Sequence, residues 1–345
     1  MSAATPHGGR VRAYLEFITA VLFYLFARTV AQHVAIGAGT AWSPLVEQGS
    51  LLVLLVVAFA AFGLVFDRQR NPVAAQGLPL RSGWTREAGT GLAIGWSVAV
   101  ACVLPLTVFG GIAVVLTPGL QSWGWLAADA AFFALAAMAE EVAFRGYGFQ
   151  RFEAVVGSLG ASLGYAFFYA LMQAMLPGAS RLSFLVSFLL GLVLSLAYVR
   201  TRALWVSWGI NFGWKASRAL LFGLTVSGVS SHSSVVEGDP MGPLGLTGGG
   251  FGLDASWLAF FVLLLALVVV YRVTRELDFV HNAPVFVPGG IPVDIDAAAR
   301  RQHEAAMGSA EPASPALVQI LPASVPPASN PASSQGGDGA DSSRP

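Results

Sequence analysis

The sequence predicts an all-α fold, a polytopic membrane helix bundle of about eight transmembrane helices. Hydrophobic residues make up 55% of the 345 residues and charged residues only 11%, whereas soluble domains carry about 25% charged residues. Mean hydropathy is +0.66, and the chain contains repeated apolar runs near the roughly 20 residues that a spanning helix needs. The predicted spans are 13–35, 50–66, 89–116, 123–147, 158–176, 183–200, 204–223 and 255–273.

The first predicted span opens with Arg10 and Arg12 and has no small-residue cleavage site after it, which predicts a retained helix. Arginines concentrate in alternate connections, and the loops around 36–49, 117–122 and 224–254 have no lysine or arginine. By the positive-inside rule, both termini are expected in the cytoplasm. The alanine-rich composition, which favours arginine over lysine, indicates the plasma (inner) membrane of a bacterium.

The chain is predicted to divide into four segments. Residues 1–122 hold the first transmembrane helices, 123–225 form a core with the polar motifs, and 226–284 form an external loop and the last helix. Residues 285–345, rich in Pro, Ala, Ser and Gly, are predicted to be a disordered cytoplasmic tail.

Several classes of partner and site are disfavoured. The net charge is zero, so nucleic acid is not an expected partner. The single cysteine, Cys102, rules out a disulfide framework and a cysteine-based zinc site. The glycine-rich stretch "GDPMGPLGLTGGGFGLD" (238–254) follows no predicted strand and opens no phosphate-binding helix, so no nucleotide site is predicted there.

The segment "AMAEEVAFRGY" (137–147) places three charges in an apolar helix. Ionisable residues at membrane depth cost about 2.5 kcal/mol or more and usually face a partner or a cavity. Glu141 and Arg145 are four residues apart, so they share one helix face and can pair. Glu140 points about 100° away from Glu141, so it can face a different environment and act as a base.

Two later helices carry polar pairs at the same spacing. Tyr169 and Gln173 lie in the fifth predicted span, and Asn211 and Lys215 in the seventh. We therefore predict a polar cluster where spans four, five and seven meet. The alternative is that these residues only hold the bundle together, and the spacing does not decide between the two.

Small-xxx-small motifs accompany both later pairs. "GASLG" (160–164) and "GINFG" (209–213) are predicted to let their helices approach neighbouring helices closely.

These motifs resemble the CPBP family, the CAAX-protease and bacteriocin-processing (Abi-type) intramembrane proteases. "EEVAFRG" matches the family's Glu-Glu-x-x-x-Arg signature, and "YALMQ" and "INFGWK" lie where its Phe-x-x-x-His and His-x-x-x-Asn motifs follow. The resemblance covers about 123–225. It implies peptide-bond cleavage within the membrane, with Glu140 activating water and a membrane protein or lipidated peptide as substrate. A divalent metal is implied only by the family label, and no cofactor is expected from the residues.

The sequence departs from the family pattern at three positions. Gln173 replaces the first His, Asn211 the second His, and Lys215 the Asn. Glutamine and asparagine cannot shuttle protons as imidazole does, and they do not replace it as zinc ligands.

Lys215 is the only lysine in the chain. Two carboxylates and Arg145 leave the cluster one positive charge short, so we hypothesise that Lys215 pairs with Glu140 and forms a neutral structural centre.

Three functions remain open at this point, and whether the chain is an enzyme is uncertain. The first is an intramembrane endopeptidase with an altered site, using Glu140, Glu141, Arg145, Gln173, Asn211 and Lys215. The second is a pseudoprotease that binds membrane proteins or lipidated peptides in the former active-site cavity. The third, a transporter-like or structural bundle, is disfavoured because no span shows paired broken helices.

Overall fold

A computed structural model describes residues 7–117, 119–275 and 277. The chain divides into a compact unit, Met1–Val293, and a second unit, Asp294–Pro345, which lies outside the described residues, as does the predicted tail 285–345. The described part is mostly helical. Its α-helices are α1 (His7–Ile36), α2 (Ser43–Val65), α3 (Pro72–Ala75), α4 (Trp84–Val108), α5 (Leu120–Arg145), α6 (Tyr147–Ala174), α7 (Arg181–Thr201), α8 (Leu204–Ala216), α9 (Leu244–Thr247) and α10 (Trp257–Val273).

Five helical stretches of the described residues are long and apolar enough to cross a membrane: Gly9–Ile36, Ser43–Val65, Trp84–Val108, Leu120–Ala174 and Arg181–Thr201. The fourth stretch comprises α5 and α6. Each of the eight predicted spans overlaps a helix, but α8 and α10 are shorter than a full span. Length and composition therefore support a multi-pass membrane protein without confirming the number eight.

The described helices are accompanied by one two-stranded sheet. Two strands, β1 (Ile112–Leu116) and β2 (Val236–Pro240), form an antiparallel ribbon in which Ile112 pairs with Pro240 and Leu116 with Val236. The third predicted span, 89–116, runs through β1, although α4 ends at Val108. Gly110, with φ of +73°, stops the helix, and the β-branched run after it extends as a strand. An apolar run alone does not distinguish these two outcomes.

Helices α4 and α8 approach each other through glycines on both sides. A Cβ on Gly91 would clash with the Val206 carbonyl oxygen, and a Cβ on Gly209 with the Ala88 carbonyl oxygen. The small-xxx-small prediction for "GINFG" is therefore confirmed, with "GLAIG" (91–95) of α4 as the facing motif. This close contact fixes the helix that carries Asn211 and Lys215.

The same prediction is wrong for "GASLG". A Cβ on Gly160 would meet Val156, and one on Gly164 would meet Phe152 Cε1 at 2.8 Å. Both neighbours belong to the start of α6, before its kink at Gly157, where φ is +80°. These glycines let α6 fold back on its own first turns rather than on a neighbouring helix.

Candidate active site

Glu141 and Arg145 form a completely buried ion pair on α5. Arg145 Nη1 lies 3.4 Å from Glu141 Oε1, and both side chains have no exposed area. Arg145 also donates a hydrogen bond through Nη2 to the Gly191 carbonyl oxygen of α7, at 3.1 Å. Its guanidinium lies over the Tyr169 ring, 5.4 Å from the centroid. Arg145 thus ties three helices together and neutralises Glu141.

Glu140 points away from this pair and towards a cavity. Its side chain keeps 24% of its area exposed, and Lys215 Nζ lies 2.5 Å from its Oε1. The other oxygen, Oε2, accepts hydrogen bonds from Asn211 Nδ2 at 3.0 Å and from the Tyr169 hydroxyl at 3.5 Å. The structure thus shows the hypothesised ion pair, and both oxygens of Glu140 have partners.

Asn211 connects the two carboxylates. Its Nδ2 donates to Glu140 Oε2 and to Glu141 Oε1, each at 3.0 Å, and its side chain is fully buried. An imidazole could not donate from one nitrogen to both carboxylates, because each ring nitrogen carries at most one hydrogen. The substitution therefore gives two adjacent acidic groups a common donor.

Gln173 reaches the cluster through Tyr169. Its Nε2 donates to the Tyr169 hydroxyl at 3.1 Å, and that hydroxyl in turn donates to Glu140. The six residues singled out from the sequence therefore form one hydrogen-bonded cluster, with Tyr169 as the link to Gln173. Two carboxylates, one guanidinium and one ammonium give the cluster no net formal charge.

The cavity beside Glu140 has a volume of about 210 Å³. Besides the cluster, its lining includes Arg28 of α1 and Glu47 of α2, together with apolar side chains. Sequence analysis missed both charged residues. Arg28 is the only arginine or lysine between residues 13 and 35, which is the signal that could have identified it.

The segment after α8 forms part of the cavity wall. Two aspartates hold this segment in place. Asp254 accepts hydrogen bonds from the Ser227 backbone N–H and hydroxyl at 3.0 and 2.9 Å, and it pairs with Arg218 Nη1 at 3.0 Å. Asp129 accepts the backbone N–H groups of His232 and Ser233 at 2.8 and 2.9 Å. These contacts fix the segment that contributes Val226, Ser227 and Val229 to the lining.

Asp254 titrates at lower pH than an ordinary aspartate. Burial by itself would raise the pKa of this carboxyl group. The charge of Arg218 and the hydrogen bonds from Arg218 and Ser227 outweigh burial, so its pKa lies below the usual value. The carboxylate form is the one that anchors the segment.

The residues present do not fit a histidine-based zinc site. Gln173 and Asn211 stand where the resemblance predicts histidines, and amides are poor zinc ligands. Both Glu140 oxygens and Glu141 Oε1 are held by nitrogen or hydroxyl donors. Within the described residues, no group of three His, Cys, Asp or Glu side chains could hold a metal ion.

This region of the chain is similar to one known protein family. Residues 121–217 match the family model described as type II CAAX prenyl endopeptidase Rce1-like. The matched segment is less than a third of the chain and coincides with α5 to α8, the helices that build the cluster. Neither the curated proteins nor the solved structures contain a match to the chain. The family match confirms the resemblance that the three motifs predict.

Proposed function

We propose that this CAAX-protease-like membrane protein is a non-hydrolysing member of its family, which binds a membrane component in the former active-site cavity. The observation that carries the proposal is the ion pair between Glu140 and Lys215, at 2.5 Å. A general base must accept a proton from water within hydrogen-bond reach. At Glu140, proton acceptance would remove the negative charge that pairs with Lys215.

Gln173 and Asn211 cannot act as the general base in place of Glu140. Gln173 and Asn211 carry amides, which neither accept nor release a proton near neutral pH. Positioned acid–base groups contribute about 10²–10⁴ in rate. The cavity remains, and the classes of occupant that the family resemblance suggests are a lipidated peptide and a membrane protein segment.

The second candidate function is a residual endopeptidase activity with Glu140 as the base. One observation favours it: the Glu140 side chain is 24% exposed and lines the cavity together with Gln173. In this mechanism Gln173 orients water, while Asn211 and Lys215 donate to the developing oxyanion, a role that can be worth a few kcal/mol in a dry site.

Cleavage of membrane peptides distinguishes the two functions. The purified protein, reconstituted in liposomes, is incubated with a library of transmembrane and lipidated peptides, beside Glu140→Ala and the triple variant Gln173→His, Asn211→His, Lys215→Asn. We expect no cleavage by the parent. Cleavage by the triple variant would show that the residues at those three positions are what prevents hydrolysis in the parent. Parent cleavage that disappears in Glu140→Ala would instead establish a protease without histidines.

The proposed location is a bacterial plasma membrane with both termini in the cytoplasm. Cys102 is the only cysteine and is fully buried, so single cysteines introduced near each end and in the 224–235 segment would report sidedness. Labelling by an impermeant maleimide in intact cells is expected only for the 224–235 cysteine.

A further inference from the structure

The cavity contains a second set of charges, separate from the Glu140–Lys215 pair. Arg28 on α1 and Glu47 on α2 both line it. No ion pair joins either side chain to another residue that the structure describes. Arg28 Nη1 lies 3.9 Å from Met172 Sδ, and a thioether is a weak acceptor. The Tyr24 hydroxyl also hydrogen-bonds Arg28, but neither of these neighbours is anionic. An arginine in a spanning helix normally has an anionic or carbonyl partner, and the cavity that Arg28 lines is where an anionic group could reach it.

The two charges lie at different depths. Arg28 precedes the end of α1 at Ile36 by eight residues, or about 12 Å along the helix axis. Glu47 follows the start of α2 at Ser43 by four residues, or about 6 Å. Because α1 and α2 are consecutive helices joined at this end, the positive charge lies deeper in the bundle than the negative one.

This order of charges matches a zwitterionic phospholipid headgroup. In such a headgroup the phosphate is next to the glycerol and the amine is outermost, so the phosphate meets the deeper Arg28 and the ammonium meets Glu47. Arginine suits phosphate because its planar fork donates two parallel hydrogen bonds. Apolar residues such as Leu51 and Leu176 share the lining and can contact the glycerol and the first methylenes.

The cavity size selects a small polar group. Its volume is about 210 Å³. Pockets for drug-sized ligands measure about 300–1,000 Å³. A phosphoethanolamine group is small enough for this space.

We propose that Arg28 and Glu47 bind the headgroup of an amine-bearing phospholipid, phosphatidylethanolamine, in this cavity. The proposal rests on the proposed function, because a working hydrolase would need the same space for its peptide. The occupant next to the neutral Glu140–Lys215 pair is then a membrane phospholipid.

Lipid retention tests the proposal. The delipidated full chain is reconstituted in vesicles of equimolar phosphatidylethanolamine and phosphatidylglycerol, re-extracted in mild detergent, and analysed by native mass spectrometry. We expect at least fivefold enrichment of phosphatidylethanolamine in the bound fraction. Equal retention of the two lipids, or preference for phosphatidylglycerol, would overturn the proposal.

Matched variants test whether Arg28 binds the phosphate and Glu47 the ammonium group. Arg28→Gln is expected to lose the bound lipid, whereas Arg86→Gln, at an exposed arginine of α4, retains it. Glu47→Gln keeps Arg28 and is expected to shift the preference towards phosphatidylglycerol, while the exposed Glu237→Gln does not. Unchanged enrichment in both Arg28→Gln and Glu47→Gln would contradict the assignment, and the Glu47 variant decides the matter if Arg28→Gln fails to fold.

A competing peptide separates this proposal from the proposed function. If a lipidated peptide binds the parent without displacing phosphatidylethanolamine, the phospholipid is not in the cavity and this proposal fails. The absence of hydrolysis, on which the proposed function depends, is measured independently by the cleavage assay.

Discussion

Lys215 Nζ lies 2.5 Å from Glu140 Oε1 and joins α8 to α5 at the one position where a carboxylate of the cluster faces the cavity. This ion pair bears on whether Glu140 can accept a proton from water. The carboxylate to which the family resemblance would assign water activation is engaged by the chain's only lysine. Its second oxygen is engaged by Asn211. Both oxygens of Glu140 therefore have donor partners from α8, which hold its side chain in place.

Replacing Asn211 with alanine should destabilise the protein by about 3 kcal/mol. The change removes hydrogen bonds to Glu140 and Glu141, and a bond to a charged group contributes about 1.5–3 kcal/mol. It also leaves two adjacent carboxylates without their common donor. Equilibrium unfolding in mixed micelles measures the free energy.

Gln173→Ala is the matched control for Asn211→Ala, because Gln173 is only partly buried and touches the cluster through Tyr169 alone. We expect a loss below about 1 kcal/mol for this variant, as for an ordinary neutral hydrogen bond. Equal losses in the two variants would show that Asn211 does not hold the carboxylates together.

Gly209→Ala should destabilise the protein by about 1–3 kcal/mol, the usual cost of overpacking. The added methyl group meets backbone atoms of α4, at Ala88 and Leu92, which cannot rotate away. Thermal unfolding followed by circular dichroism measures the effect.

Gly89→Ala is the control for this glycine contact, since a Cβ at Gly89 meets nothing within 4 Å. Alanine is the better helix former, by about 1 kcal/mol, so this variant should be as stable as the parent or slightly more so. If Gly209→Ala and Gly89→Ala have the same melting temperature, the close approach of α4 and α8 is refuted.

Acid should weaken the anchor formed by Asp254. Because the pKa of Asp254 is lower in the folded protein than in the unfolded chain, its ion pair with Arg218 contributes stability above the unfolded-state pKa of about 4. This contribution is lost as the pH falls through the lower folded-state pKa. The melting temperature should therefore drop more steeply below pH 4 in the parent than in Asp254→Asn.

Asp254→Asn keeps an oxygen that can accept from Ser227 and removes the charge, so it should melt lower than the parent at pH 6. The two melting curves should converge in acid. If the melting temperatures of the parent and of Asp254→Asn change in parallel from pH 6 to pH 2.5, the Asp254 carboxylate contributes no pH-dependent stability.

The sequence predicted the membrane class, the helical segments and the residues of the cluster, because those features depend on apolar runs and on spacing along single helices. Glu141 and Arg145 pair as their four-residue spacing indicates. The pairing of Lys215 with Glu140 followed from counting charges in an apolar environment. Local pattern and charge balance are sufficient for such inferences.

Contacts between distant segments were not predictable in the same way. The β1–β2 ribbon joins residues more than 100 positions apart, and its first strand lies within an apolar run that resembles a helix. The partner motif of "GINFG" in α4 required the packing of α4 against α8. Arg28 and Glu47 share a cavity only because α1 and α2 pack beside α5 and α6.

A double-mutant cycle between Glu140 and Lys215 measures whether their ion pair is a structural centre. The free energy of unfolding in mixed micelles is measured for the parent, Glu140→Gln, Lys215→Asn and the double variant. We predict that Lys215→Asn alone costs about 3 kcal/mol, near the low end for breaking a buried ion pair, because Glu140 is partly exposed. The double variant should recover at least about 1.5 kcal/mol of that loss, as coupled groups in contact do. If the two single effects add within about 0.5 kcal/mol, the pair is not a structural centre, and Glu140 remains available as a base.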